Sequence, residues 1–230
     1  MKYVSRTLVG VCGLLSIVPN LAAQTQQLEQ GAYRLEIALE RLEEGAWNPV
    51  DPGLVFEQGE RVRFRVKPSF GGYLYVMNQG TSGDYTTLFP REDTGSENRI
   101  EPGNDYLIPA TDGAFRISGP AGHDIVYWMA TPIAVADPSR YRPLPPPPES
   151  GPPPKNLLPR CDDTILRARG DCVDTSAGPH QAEALPENFE GARSLEKRQL
   201  IFVQKEGSSV VSAPRTLEGP VVFEFRLAHR

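Results

Sequence analysis

The segment Arg61-Val62-Arg63-Phe64-Arg65-Val66-Lys67 alternates strictly between basic and apolar residues. Successive side chains of a strand point to opposite faces, so this pattern predicts a strand with one buried face. Pro68 ends it and Gly71-Gly72 supplies a turn. Tyr73-Leu74-Tyr75-Val76-Met77-Asn78 then reads as the second half of a hairpin. Tyr73, Tyr75 and Met77 share one face of this second strand, with Leu74 and Val76 on the other. Two apolar faces describe a central strand in a core rather than a ligand stack. Further strands are expected at Tyr85 to Phe89, Tyr106 to Ile108, Phe115 to Ile117, Asp124 to Ala130, Gln199 to Gln204 and Val221 to Leu227. Upstream, Tyr33, Leu35, Ile37 and Leu39 keep a strand period. Leu35, Leu39 and Leu42 also fit a helical stripe; we read the segment as a strand.

Short strands with Gly and Pro punctuation predict an all-β chain, an antiparallel β-sandwich of immunoglobulin-like or jelly-roll-like type. Between Asp137 and about Leu195 the periodicity lapses. Arg142-Pro143-Leu144-Pro145-Pro146-Pro147-Pro148 and Pro152-Pro153-Pro154 lack backbone donors and must be extended or irregular. The apolar face of Val221, Phe223, Phe225 and Leu227 needs a cover, and two late strands alone make no stable core. The expectation is therefore one domain over 32–230, with 137–195 a Pro-rich irregular insertion and 24–31 a flexible lead-in.

The N-terminus has a different logic. Lys2 and Arg6 precede an apolar run from Leu8 to Val18, and Leu21-Ala22-Ala23 offers a small residue before Gln24. This is the layout of a secretory signal peptide over 1–23, cut between Ala23 and Gln24. The run is short of the roughly 20 apolar residues that a membrane-spanning helix needs. Nothing later approaches that length, so no integral membrane segment is expected after cleavage, and the location is periplasmic or secreted. Cleavage also removes Cys12, leaving Cys161 and Cys172. An even pair in an oxidising compartment predicts a disulfide.

The whole chain of 230 residues carries a formal net charge of −5. Loss of Lys2 and Arg6 makes it more acidic still, and no basic block exists for phosphate neutralisation, so nucleic acid is not an expected partner. Arg61, Arg63, Arg65 and Lys67 form one row of cations. Such a row more often keeps a strand face solvated, with an anion-binding face as the functional alternative.

The blocks Phe56-Glu57-Gln58-Gly59-Glu60-Arg61-Val62-Arg63-Phe64-Arg65-Val66 and Gly71 to Pro90, continued by Ile108-Pro109 and Gly119 to Asp124, resemble the bacterial "domain of unknown function 4384" family over about 54–135. The resemblance implies a bacterial envelope or secreted origin and a β-sandwich module. It brings no catalytic residues.

Short motifs add little. Asp93-Thr94-Gly95-Ser96 matches an aspartic-protease string, but that chemistry needs a second copy so that two carboxylates share a proton. An exposed turn is the better account. Arg169-Gly170-Asp171 beside Cys172 and the proline run are chance-level or spacer matches. His123, His180 and His229 are scattered, and Ser208-Ser209 lack a nucleophile-elbow setting. No catalytic, cofactor-binding or metal-binding residue is assigned, and no cofactor is expected. The leading expectation is an exported non-enzymatic module that binds a protein or envelope polymer. The alternative is a hydrolase or other enzyme whose site is assembled from dispersed residues, which a convergence of His, Ser and carboxylates would favour.

Overall fold

A computed structural model describes residues 33–132, 151, 158–162, 170–182, 200–213 and 220–230. The signal segment, the Ala23–Gln24 cut, the lead-in and most of the proline-rich stretch lie outside the described residues. Among those described there is no helix. The strands are β1 (Tyr33–Glu43), β2 (Ala46–Val50), β3 (Arg61–Pro68), β4 (Gly72–Gln79), β5 (Tyr85–Phe89), β6 (Arg99–Ile100) and β7 (Tyr106–Ile108). They continue as β8 (Phe115–Arg116), β9 (Gly122–Pro132), β10 (Gly178–His180), β11 (Ile201–Lys205), β12 (Ser208–Ala213) and β13 (Val221–His229).

Two antiparallel sheets pack face to face, which makes the fold a β-sandwich. The first runs β11-β12-β1-β3-β7, with β2 also on β1 and β8 on β3. The second runs β10-β13-β9-β4-β5, with β6 also on β4. The strand period of 33–40 prevails over its helical stripe because Leu35, Ile37 and Leu39 all enter the core between the sheets, while Glu36 and Glu40 alternate away. β13 pairs with β9 along its whole length, from Val221 opposite Ala130 to His229 opposite Gly122. Strands from early and late in the sequence thus share each sheet.

The core is centred on aromatic rings from both sheets. Phe64 of β3 meets Trp128 of β9 edge-on at 5.1 Å between centroids, and Phe225 of β13 at 5.5 Å. Trp128 stacks on Phe223 at 6.1 Å. Each such pair adds about 0.5–1.5 kcal/mol beyond the area it buries.

The hairpin expected between 61–67 and 73–78 does not form. β3 and β4 lie in opposite sheets. Val62, Phe64 and Val66 face Leu74 and Val76 across the core, so the connection must carry the chain from one sheet to the other. Ser69 anchors that crossing: its amide donates to the Arg34 carbonyl at 2.8 Å, and its hydroxyl accepts from the Arg34 amide at 2.8 Å. Phe70 is buried edge-on against Tyr33. Both hydrogen-bonding edges of β4 are then taken, by β9 on one side and by β5 and β6 on the other.

A short strand lies within 137–195: Gly178–His180 is an edge strand, β10, antiparallel to β13 with His180 opposite Glu224. The residues just before it are tied down as well. Val173 bridges Leu54, the Val55 amide donates to the Cys172 carbonyl at 2.8 Å, and the Asp174 amide donates to the Gly53 carbonyl at 2.8 Å.

Candidate functional site on the outer face of the second sheet

Alternation along β9 sends Val126, Trp128 and Ala130 into the core and turns His123, Ile125, Tyr127 and Met129 to the opposite side. β4 does the same, with Leu74 and Val76 inward and Tyr73, Tyr75 and Met77 outward. The register sets these outward residues side by side. Tyr75 lies opposite Met129, and Met77 opposite Tyr127; Gln79 stands between Ile125 and Tyr85. Val222 extends the band on β13. The Tyr127 hydroxyl donates to Gln79 Oε1 at 3.2 Å, and burial pushes its pKa well above the ordinary tyrosine range. A sheet face that would ordinarily be solvated is instead a continuous, buried aromatic and thioether cluster.

Both apolar faces of β4 were legible from alternation, but their assignment to a single core was not. Tyr75 and Met77 belong to a second cluster, outside the sandwich. The matching alternation of Ile125, Tyr127 and Met129 against Val126, Trp128 and Ala130 was the signal that could have located it.

At one end of this face the enzyme alternative receives a concrete test. His123 Nε2 lies 3.2 Å from Asp174 Oδ2 and 3.4 Å from Ser176 Oγ, so a histidine, a carboxylate and a serine do converge. Their geometry opposes a relay. A catalytic triad needs the carboxylate on one ring nitrogen and the serine on the other, so that the free nitrogen takes the hydroxyl proton. Here both partners crowd the same nitrogen, and Ser176 Oγ donates to Asp174 Oδ1 at 2.6 Å. Asp174 also accepts from the amides of Arg160 and Ser176, each at 2.8 Å. Burial alone would raise the Asp174 pKa; the Ser176 hydroxyl, these amides and the His123 charge outweigh it and hold the group below the usual carboxylate range. This is a carboxylate organised to brace a loop.

The other histidines have structural settings. His229 is fully buried, with Nε2 3.3 Å from Asp124 Oδ1, and Asp124 Oδ1 also accepts from the Thr81 amide at 3.0 Å. His180 Nε2 lies 3.2 Å from the Ala177 carbonyl. Ser208 Oγ donates to Glu36 at 3.2 Å, and Ser209 is buried within β12. Among the described residues no group of three His, Cys, Asp or Glu side chains is placed to hold a metal ion.

Cys161 and Cys172 are joined as a disulfide, with Cα atoms 4.9 Å apart. The bridge staples Asp162, whose amide donates to the Val173 carbonyl at 2.7 Å and whose carboxylate receives Thr175, next to the Asp174 loop.

The cation row is not a row of four independent charges. Glu40, only 3% exposed, accepts from Arg63 Nε at 2.6 Å and from Arg65 Nε at 2.8 Å. Arg63 also lies over the Trp47 ring at 4.3 Å, and Lys67 reaches Asp105 at 3.8 Å. Arg61 is exposed and faces Arg116 across the strand pair. An anion arriving here would compete with Glu40 for two of the four.

Asp93-Thr94-Gly95-Ser96 forms a turn. The Arg91 amide donates to the Gly95 carbonyl at 2.9 Å, Thr94 Oγ1 to the Leu88 carbonyl at 2.6 Å, and Arg91 chelates the exposed Asp93. Gly95 needs to be glycine: its φ is +111°, and a Cβ would sit 2.6 Å from that of Ala110. Arg169 lies outside the described residues, so the tripeptide Arg169-Gly170-Asp171 has no described geometry.

The architecture is thus that of an antiparallel β-sandwich with a second apolar cluster outside its core. Residues 55–133, which include β3 through β9, match the family model described as domain of unknown function DUF4384. No curated protein and no solved structure matches the chain. β1 and β13, which flank the matched strands in the two sheets, come from outside that segment.

Proposed function

We propose that the protein is an exported, non-enzymatic β-sandwich module, periplasmic or secreted, that binds a protein or an envelope polymer along the outer face of its second sheet. The observation that carries this reading is the aromatic and thioether band in which Tyr73 and Tyr85 stay half-buried while Tyr75, Met77, Tyr127 and Met129 are buried. Rings of this kind stack on proline or sugar rings, and thioethers adapt to irregular partners. The band lies outside the core between the sheets. The signal-like N-terminus and the disulfide support an oxidising compartment. Among the described residues no helix is long and apolar enough to cross a membrane.

The second reading, a hydrolase, is favoured by the meeting of His123, Asp174 and Ser176, and disfavoured by their sharing of one nitrogen. One experiment separates the two. The chain from Gln24 onward, immobilised and exposed to its native envelope extract, should retain a defined component, and the alanine variant at Tyr73 and Tyr85 should lose it. No retention, together with turnover in a broad hydrolase screen that Ser176→Ala abolishes, would establish the enzyme instead.

A further inference from the structure

Arg61 and Arg116 stand opposite each other where β3 pairs with β8. Their neighbours Val62 and Phe115, also opposite, pack into the core, so alternation sends both arginines to the outer face of the first sheet. Both are exposed, and among the described residues neither has a hydrogen-bond or ion-pair partner. The carboxylates nearby are already engaged. Glu60 accepts from Arg41 Nη1 at 3.1 Å and from the Glu57 amide at 2.7 Å. Glu57 pairs with Arg230 at 2.7 Å, and Glu40 lies between Arg63 and Arg65. Backbone fixes the seat of Arg116. The Gly59 amide donates to the Ile117 carbonyl and the Ile117 amide to the Glu60 carbonyl, each at 2.9 Å, which holds β8 against the turn at 57–60. The Arg116 guanidinium lies over that turn, where a Cβ on Gly59 would come within 3.5 Å of Nη2.

We infer that Arg61 and Arg116 form an anion clamp that takes an oxyanion, a carboxylate or phosphate group carried by an envelope polymer. Like charges directly opposite on paired strands destabilise each other, and here no carboxylate of the protein offsets the repulsion. A bound oxyanion does. Two adjacent guanidinium forks present parallel N–H donors, which match the paired oxygens of these groups. The site continues along β3. Arg65 gives its Nε to Glu40, yet its side chain stays 43% exposed. A polymer lying along the strand meets this further cation about 13 Å from Arg61. The chain as a whole carries a net charge of −5, so the attraction is local and does not extend to nucleic acid. This surface lies on the sheet opposite the tyrosine band and stands apart from the proposed function.

Titration of the chain from Gln24 onward, with its arginine Nε–H groups followed by NMR, tests the clamp. Inorganic phosphate and trigalacturonate, each at constant ionic strength, are the probes. At least one should shift the Arg61 and Arg116 signals saturably, both on one binding curve. Tighter binding of trigalacturonate assigns a carboxylated polymer, and tighter binding of phosphate a phosphorylated one. Arg61→Gln should weaken the response at Arg116 about tenfold, the loss expected of one charge-assisted contact. Arg61→Lys keeps the charge but not the fork and should weaken it less. Signals of Arg61 and Arg116 that move no more than that of exposed Arg99, or an Arg116 response untouched by Arg61→Gln, would overturn the proposal. A second measurement needs no ligand. In low-salt buffer free of both probes, Arg61→Gln should raise the melting temperature by removing the repulsion. An unchanged or lowered value would mean that the two charges are already offset, and equally overturn it. The alanine variant at Tyr73 and Tyr85 should leave the titration unchanged, so failure of the clamp and failure of the tyrosine surface are read apart.

Discussion

The two sheets turn different chemistry outward, and the contrast between those faces explains more than either face alone. Over β1 and β3 the outer face is charged: Glu40 is buried between Arg63 and Arg65, with Trp47 beneath the Arg63 guanidinium. Long side chains there cover the strand with their stems and keep their charges near water. Over β4 and β9 the outer face is made of tyrosine, methionine and isoleucine, bordered on β13 by the buried Glu224 and its ion-pair partner Arg226. The first face satisfies Glu40, Arg63 and Arg65 within two strands. The second is buried as well, by tyrosines, thioethers and Ile125 packed on one another across β4 and β9.

The contrast can be broken from either side. Met129→Ala, on the aromatic face, should cost about 3 kcal/mol in urea unfolding, as for other large-to-small changes at well-packed sites. A loss under about 1 kcal/mol would mean that the face is loosely covered. Cys172→Ser removes the staple beside the Asp174 loop. The chain-entropy model predicts a loss of about 3 kcal/mol for a loop this short, read as a lowered melting temperature. Because it acts mainly through the unfolded chain, the penalty should add to that of Met129→Ala.

Smaller effects sharpen the comparison. Glu40→Ala strands two arginines; with Arg65 half exposed, the cost should be about 2 kcal/mol, below the roughly 3–5 kcal/mol of a fully buried pair. Added salt should shrink that penalty and leave the Met129→Ala penalty intact. Gly151→Ala presses a methyl group against Tyr85 and should cost about 1 kcal/mol, with increased reactivity of Tyr85 to footprinting.

The acid limb provides the finest test. Asp174 has a lower pKa folded than unfolded, so the native state binds fewer protons. Its stabilisation is complete above the ordinary carboxylate value near 4 and is lost as pH falls through the folded value. Asp174→Asn should flatten stability against pH below about 4 and change little in its slope near neutrality. A slope unchanged in acid would show that the brace is not electrostatic.

Much of the sandwich is legible in the sequence. The alternations at 61–67 and 221–227 give β3 and β13, because a half-buried strand has no other stable pattern. Glycine and proline punctuation marks the ends of β3 and β5. What failed was connection. The turn Pro68 to Gly72 looks like a hairpin, yet it crosses between sheets because β4 finds better partners in β5 and β9, and no local signal encodes that choice. β10 was missed because three residues with a proline carry no period; it is a strand only because β13 offers an edge. The meeting of His123 with Asp174 and Ser176 spans about fifty residues, with nothing in the local sequence at either end to announce it.

By itself, the sequence determined the strand faces and the proline-rich run, because alternation and ring geometry are local properties. Tertiary structure alone decided that Tyr75 and Met77 lie outside the core rather than in it, that Glu40 claims Arg63 and Arg65, and that a His/Asp/Ser cluster forms with both partners on one nitrogen. Those outcomes depend on which strands become neighbours, and neighbours are chosen by the free energy of the whole sandwich, not by any one segment.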